Sequence, residues 1–552
     1  MKTAALIYFS VIRFFLPVLA IVFIAIAFDL LLHNLKRKTL MRFAVDGYSN
    51  YINIKSTECI IGSGIMSDVR IKGDKNVEKS HAVLTLTDYG FKLTPMSEDS
   101  PVFVNNYRVE EEAYLQSGDT ILVGSTAIKI AVNPQINTSA KQKSDKLAGK
   151  LRLCEAVILT LFEFFAVGAL LLNDIKHYLP ILVTFGGLAV FQWIYLAIRG
   201  FRTNVGVEII AFFLTNIGFL VSASCGADLL IKKGAFVVGG VILFLLLSLL
   251  LNHLDLVEKL RIPVMTVGIL LLALNIAFGT VTNGAMNWIV IGGVSFQPSE
   301  FVKVALVFIS ACSIEKMVKM KNLVSLLVFV FISLCALAYM RDFGSAAVYF
   351  VTLLIILCLR MCDLKIVLAL AGGAMAASFV IINIFPYISA RFATYRHAWE
   401  YASSGGYQQT RAMISIASGG LLGLGPTSGK LKYVSAADTD LVFGMVAEEM
   451  GLIVAVVTAL CFVVLMIYAG ICVTRTRSVY YAVTSAAAAS IFIIQASLNI
   501  FGSVDLLPLT GVTLPFVSNG GSSMLVTWML LAFIKQSGAN FVTLTKKGGG
   551  DR

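Results

Sequence analysis

Apolar runs of membrane-spanning length recur along nearly the whole chain, and this feature excludes most folds. They fall at about 5–32, 153–173, 178–198, 205–223, 234–252, 262–280, 299–316, 323–340, 343–361, 366–386, 441–472, 478–501 and 521–537, most of them near the ~20 residues that a helix needs to cross hydrocarbon. Lipid offers backbone N–H and C=O groups no partner, so such runs cross it as helices. The composition agrees, with 58% hydrophobic and only 14% charged residues. The chain therefore reads as a polytopic α-helical membrane protein of about 13 spans. The first run is too long for a removed signal peptide and lacks a small-residue cleavage site, so residues 1–40 are expected to be a membrane anchor.

A net charge of +12 would suit a nucleic-acid partner if it were clustered on a soluble face. Instead the cations sit at Lys36-Arg37-Lys38 with Arg42, Arg199/Arg202, Lys259/Arg261, Lys316/Lys319/Lys321, Arg360/Lys365, Arg475/Arg477 and Lys535/Lys546/Lys547. They fall on alternate loops, as the positive-inside rule requires. The partner is thus the membrane, with no nucleic acid. The rule places the N-terminus outside, residues 36–152 and the C-terminus in the cytoplasm, and the long segment 387–440 outside. The nine cysteines are scattered, without the CxxC or even spacing of a metal or disulfide framework.

Residues 41–132 differ in texture. Short alternating runs such as Val69-Arg70-Ile71, Ala82–Leu86 and Phe91–Thr94 are separated by Gly, Asp, Asn and Ser, the pattern of a small β-sandwich. The order Ile61-Gly62, Ser80-His81-Ala82, Val104-Asn105, Leu115-x-x-Gly118-Asp119-x-Ile121 and Gly124 resembles a forkhead-associated (FHA) domain. That resemblance implies phosphothreonine-peptide binding, with His81 and Asn105 as the retained motif residues and a cytoplasmic protein as partner. The chain departs from the pattern at Ser63, where the family has Arg, and at Glu78 and Ser100. A phosphate needs cationic or N–H donors, and Glu78 would repel it. Protein docking or a structural role is therefore the reading set against phosphothreonine binding. Residues 133–150 are polar and lysine-rich and read as a linker, 151–200 as two additional spans containing Glu155 and Glu163, and 541–552 as a cytoplasmic tail.

Four polar constellations interrupt the apolar runs between 201 and 540. Gln297-Pro298-Ser299-Glu300-x-x-Lys303 opens one span, and Glu300 and Lys303, three apart, share a helix face and can pair. The segment 387–440 carries Arg391, Arg396, His397, Arg411, Lys430 and Lys432 against the charge rule. Such a basic segment suits an anionic head group such as a diphosphate, with Arg391 and Arg411 as candidates. It also holds Tyr407-Gln408-Gln409 and Ile416-x-Ser418-Gly419-Gly420-Leu-x-Gly423-x-Gly425, glycines that permit close backbone approach or anion-binding turns. Thr439-Asp440-Leu441-Val442-Phe443, with Glu448-Glu449 beyond it, puts a carboxylate at a membrane boundary, where it must be paired, solvated or used. Asp440 suits a general base or a helix N-cap; Glu448 comes nearer to its face than Glu449 and would tune it or pair with a cation. Last, Gln495-x-x-x-Asn499, Leu507-Pro508-x-Thr510-Gly511 and Leu514-Pro515-Phe516-x-Ser518-x-Gly520-Gly521-Ser522-Ser523 give broken backbone at membrane depth, which must line protein or a water-filled cavity. Asp342, in Arg341-Asp342-x-Gly344-Ser345, would cap a helix or help to hold a cation.

Taken in order, these motifs resemble the SEDS family, FtsW/RodA/SpoVE-like proteins that polymerise peptidoglycan glycan strands, over roughly 203–540, a core of about 10 spans. The resemblance implies a glycosyltransferase acting on lipid II, with Asp440 as the catalytic acid residue and Thr439 beside it. It implies substrate contacts from Arg391, Arg411, Gln408, Gly419, Gly420, Ser518, Gly520 and Gly521, with support from Gln297, Asp342, Glu448 and the Glu300–Lys303 pair. It implies a class B penicillin-binding protein as partner, and leaves room for a divalent cation, magnesium or manganese. The family's Arg before Trp288 is Asn287 here, and its Tyr is Asn519. A lipid-linked precursor flippase and a non-catalytic division scaffold recruiting through the FHA-like module are the alternatives.

Overall fold

The computed structural model describes residues 2–539 except 36–40, 46–51, 55–57, 64–68, 72–73, 75, 79–80, 88–89, 97–100, 117, 132–137, 174–177, 200–204, 283–284, 292–293, 315–319, 362–367, 374, 377–382, 384–385 and 474–478. Ser80, Ser100, most of the loop cations, the lysines of the tail and much of the expected span 366–386 lie outside the described residues.

Residues 41–131 form a β-sandwich. One sheet has the strand order 52–54, 41–45, 126–131, 120–123, 102–104, 107–109; the other runs 69–70, 58–62, 82–87, 90–95, 113–115. Alternation places Phe43, Ile61, Leu84, Leu93, Ile121 and Ile128 between the sheets, where they are fully buried. The module thus has a core of its own, separate from that of the helices.

The helices are α1 Lys2–Leu35, α2 Thr138–Asn173, α3 Tyr178–Arg199, α4 Gly206–Cys225, α5 Ala227–Leu250, α6 Leu254–Phe278, α7 Pro298–Ile314, α8 Met320–Tyr339 and α9 Phe343–Met361. They continue with α10 Pro386–Thr394, α11 Tyr407–Gly419, α12 Val442–Met450, α13 Leu452–Val473, α14 Val479–Ser503 and α15 Gly521–Ala539. Among the described residues, eight helices are long and apolar enough to cross a membrane, and two shorter apolar helices cover 323–339 and 343–359.

Three expectations change. Most of the linker 133–150 is helical, as the first turns of α2; Ala, Lys, Gln and Leu are strong helix formers, and no Pro or Gly interrupts them before Gly149. The single span expected over 441–472 is broken at Gly451, whose φ of +90° ends α12 and starts α13. Segment 387–440 is not an open loop but folds around α10 and α11.

The helix α4 is the centre of the bundle and is buried along most of its length. On it dock α1 and α2, through Phe23 stacked on Phe213 at 4.1 Å and Phe162 against Phe213 at 5.1 Å, while Phe15 and Phe165 join α1 to α2. Glu163 of α2 accepts a hydrogen bond from Asn216 Nδ2 at 2.6 Å, and Gln192 Nε2 of α3 donates to Asn216 Oδ1 at 3.2 Å. The two additional spans are therefore bound to α4 by a buried amide–carboxyl network.

Candidate functional site

One end of the bundle gathers the interrupted elements. A three-stranded sheet, 280–282, 285–291 and 294–296, follows α6 there, and Met286 N–H bonds the Met340 carbonyl at 2.9 Å. Gln297 N–H donates to Ser522 Oγ at 3.0 Å, joining the starts of α7 and α15. Tyr395 Oη donates to the Leu506 carbonyl at 3.1 Å, and the buried Gln409 donates to Asp505 at 3.2 Å. Segments 387–440 and 504–520 thus close over the helix ends together.

The turn before α12 is held by its carbonyls. Asn519 N–H donates to the Asp438 carbonyl at 2.9 Å, Ser518 Oγ to that of Thr439 at 2.7 Å, and Asn499 Nδ2 to that of Asp440 at 3.0 Å. Ser518 Oγ in turn accepts Leu514 N–H at 2.8 Å, and Asn499 also bonds the Val512 carbonyl at 2.8 Å. The broken backbone is satisfied by side chains, as its depth demands. The Asp440 carboxyl lies on the other side, against Gly511: a Cβ at residue 511 would stand 3.4 Å from its Oδ2. A methyl group at 511 would meet the carboxylate in ordinary van der Waals contact, and it is the φ of +71° that favours glycine there. Asp440 does not cap α12, since Leu441 occupies that position and no side chain bonds the helix start. Burial pushes the Asp440 carboxyl up to about 6; the Thr439 hydrogen bond and the Arg391 charge oppose this, and Asp438 and Asp342 add to it.

A second charged group lies near Asp342. Lys303 Nζ and Glu300 Oε1 are 2.6 Å apart, and both side chains are buried. Asp342 accepts Ser345 N–H at 2.9 Å, the cap of α9; burial raises its carboxyl, and Lys303 and Glu300 are close enough to act on it. Tyr349 Oη donates to the Ser299 carbonyl at 2.8 Å.

Other expected site residues have different surroundings. Arg391 and Arg411 are exposed, Arg391 near enough to influence Asp440 and Arg411 over the Tyr407 ring at 5.1 Å. Gln408 donates to the Ser435 carbonyl at 2.9 Å. Glu448 does not face Asp440: it accepts the N–H groups of Lys430 and Leu431 at 3.0 and 2.9 Å. Gly419 is packed on the chain, since a Cβ there would lie 2.2 Å from the Ala447 carbonyl. The neighbouring Leu424 and Gly425 N–H groups bond the carbonyls of Glu448 and Glu449, each at 2.8 Å. This glycine segment therefore wraps the break at Gly451, although Gly420 itself is exposed. Gly520 is buried, and Gly521 packs on the Phe236 ring. Lys535, read above as a loop cation, is buried at the opposite end of the bundle and pairs with Glu208 at 2.6 Å.

Sequence reasoning gave too little weight to Asn499, Gln409, Asp438, Asn519 and Lys233. Lys233, buried on α5, donates to the Val517 carbonyl at 2.6 Å. An intramembrane lysine is itself a signal, and Lys232-Lys233 was legible as one. Among the described residues no group of three or more His, Cys, Asp or Glu is placed to hold a metal ion. A cation beside Asp440 would need most of its ligands from substrate oxygens and water, and no step below is routed through one.

In the module, His81 is fully buried. Its Nδ1 accepts Glu78 N–H at 3.2 Å, and its own backbone N–H bonds the Ile61 carbonyl at 2.9 Å. Asn105 accepts Thr120 N–H at 3.0 Å and donates to Asp119 at 2.8 Å. Ser63 Oγ donates to the Val77 carbonyl at 2.8 Å. Each of these bonds braces the module internally.

A bundle with a carboxylate set between broken, hydrogen-bonded segments at one end defines a multi-pass membrane protein with a polar site at the ends of its helices. Residues 203–539 match the model of the FtsW/RodA/SpoVE family, cell cycle proteins, and residues 59–124 that of the FHA domain. The chain belongs to the FtsW/RodA/SpoVE family. It is 31% identical over 314 residues to a probable peptidoglycan glycosyltransferase FtsW of Bacillus subtilis, an alignment covering 53% of this chain and 76% of that protein. It is 32% identical over 287 residues to stage V sporulation protein E of the same organism, covering 48% and 74%. A chain from a structure described as coordinating polymerization and crosslinking in a peptidoglycan synthase complex superposes with a TM-score of 0.52 at 23% identity, over 62% of this chain and 98% of that one. That last likeness concerns the fold.

Proposed function

We propose that this protein is a peptidoglycan glycosyltransferase that polymerises lipid II at the outer face of the cytoplasmic membrane. The observation that carries this reading is the turn 438–440, whose carbonyls are gripped by Asn519, Ser518 and Asn499 while the Asp440 carboxyl stands against Gly511. A base so held needs little reorganisation when it acts.

In the reaction, Asp440 takes the proton of the acceptor sugar's 4-hydroxyl. That oxygen attacks the donor's anomeric carbon and forms the new glycosidic bond. The bond from the anomeric carbon to the diphosphate breaks, and undecaprenyl diphosphate leaves with the electron pair. Arg391, exposed and close enough to act on Asp440, is the nearest candidate for the leaving charge, with Arg411 further along the same segment. The FHA-like module and the C-terminus are assigned to the cytoplasm and segment 387–440 to the outside, from the alternation of loop charges. Cross-linking of the strands is assigned to a partner, for which a class B penicillin-binding protein is proposed; the module is assigned a cytoplasmic protein partner.

Purified full-length protein with fluorescent lipid II in liposomes tests this reading. Glycan ladders that vanish in Asp440→Asn are the expected result. Scrambling of the lipid without ladders would instead establish the flippase reading, and neither activity would leave a scaffold.

A further inference from the structure

The grip on Asp440 extends one residue further than the chemistry requires, and that extension runs through Asn519, one of the positions where this sequence departs from the family pattern. Asn519 holds Asp438 twice. Its N–H donates to the Asp438 carbonyl at 2.9 Å, and its Nδ2 lies 3.2 Å from Asp438 Oδ2. The orientation of the amide follows from chemistry. A carboxylate only accepts, so the nitrogen must face Asp438, and the oxygen therefore faces Ser222 Oγ, 2.9 Å away on α4, whose single O–H proton is shared with the Gly218 carbonyl at 2.8 Å. Ser222 is buried on the central helix, and Lys233 pins the Val517 carbonyl two residues before Asn519. Lys233 also stands close to Asp438. The result is a continuous polar chain from α4, through Ser222 and Asn519, to Asp438 and the turn that carries Asp440.

We propose that Ser222, Asn519 and Asp438 form a lock that sets the position of the Asp440 carboxyl, which makes Asn519 and Asp438 positioning residues for the reaction. The proposal rests on the glycosyltransferase reading above. Because α4 is the helix on which α1, α2 and α3 dock through Asn216 and Phe213, the lock also gives the appended spans a physical connection to the reacting group.

The lock makes a charge-exchange prediction. In Asn519→Asp two carboxylates meet at about the distance of the present hydrogen bond and repel. In the double variant Asp438→Asn/Asn519→Asp the donor and acceptor are exchanged. The amide at position 438 then donates to the carboxylate at position 519, which still accepts from Ser222, and the single negative charge stays beside Lys233. The experiment is lipid II polymerisation by the full-length protein in liposomes, with kcat and KM measured separately and thermal unfolding in detergent as the folding control. Asn519→Asp is expected to lower kcat roughly 10- to 100-fold with KM within about twofold, and the double variant to return kcat to within about threefold of the unaltered chain. Ser222→Ala, which removes one hydrogen bond and no charge, is expected to lower kcat about threefold to tenfold in a well-folded protein. The lock is overturned if Asn519→Asp polymerises normally, if KM rises in place of a fall in kcat, or if the exchange fails to rescue. Should Asn519→Asp fail to fold, a folded Ser222→Ala with unchanged kcat overturns it equally. A chain that makes no ladders without any substitution would instead remove the underlying glycosyltransferase reading.

Discussion

The FHA-like module and the helix-end site use the same polar residue types to opposite ends. In the module, buried His81 and exposed Asn105 accept hydrogen bonds from the backbone N–H groups of Glu78 and Thr120. At the helix ends, Asn499, Ser518 and Asn519 do the bracing, and these bonds go to the carbonyls of the 438–440 turn rather than to the Asp440 carboxyl. A motif residue is thus assigned by what it bonds: when a candidate ligand is already committed to backbone, its role is internal. The module keeps the braces of an FHA domain with Ser63 in place of the family's cation, whereas the helix end keeps both braces and the group they serve.

The sharpest way to break this comparison is Asp440→Asn, which keeps volume and hydrogen bonding but removes the base. Polymerisation should fall about 10²- to 10⁴-fold, with the protein still inserted and monodisperse; near-normal ladders would remove Asp440 from catalysis. Next in size is the buried Glu300–Lys303 pair. Lys303→Ala should cost about 3–5 kcal/mol by stranding a carboxylate, and Glu300→Ala/Lys303→Ala less. Thermal unfolding checks the order, and a double variant as unstable as the single would show that the two residues do not act as a pair.

A smaller effect comes from pH. The Asp440 carboxyl is raised to about 6, and the base is its ionised form, so kcat should drop about tenfold per unit as pH falls below that value. The same shift means that the folded protein binds this proton more tightly than the unfolded chain does. Protonation of Asp440 therefore favours the fold, its contribution being present at acid pH and lost as pH rises through about 6. Loss of rate at low pH with unfolding temperature maintained is the expected pattern; a flat profile down to about pH 5 would contradict the assignment. The least effect is expected from the module. Removing 41–132 should leave polymerisation in liposomes within about twofold, and the isolated sandwich should not bind a generic phosphothreonine peptide at micromolar concentration. Phosphate-dependent titration of that peptide would overturn the bracing role given to His81 and Asn105.

Much of this was legible because its signal is local. Span positions follow from runs of apolar residues, the Glu300–Lys303 pair from a spacing of three on one helix, and Asp440 from its motif. What was missed pairs residues far apart in the chain. Nothing near Lys535 announces Glu208 as its partner, and nothing near Glu448 shows that it serves the N–H groups of Lys430 and Leu431. The glycines at 419–425 were expected to approach a substrate and instead approach the backbone at 447–451; both uses need the same absent Cβ, so sequence alone does not separate them. The break at Gly451 was hidden because, Glu448 and Glu449 apart, the residues on either side of it are apolar and a single glycine is tolerated inside a helix.

The length of α2 has a mechanical consequence. Its 36 residues amount to ~54 Å, while hydrocarbon is only ~30 Å thick. About twelve residues, 138–149, precede its apolar part. Those twelve residues as a helix carry α2 ~18 Å past its apolar part, a reach that a flexible string of the same length would not hold straight.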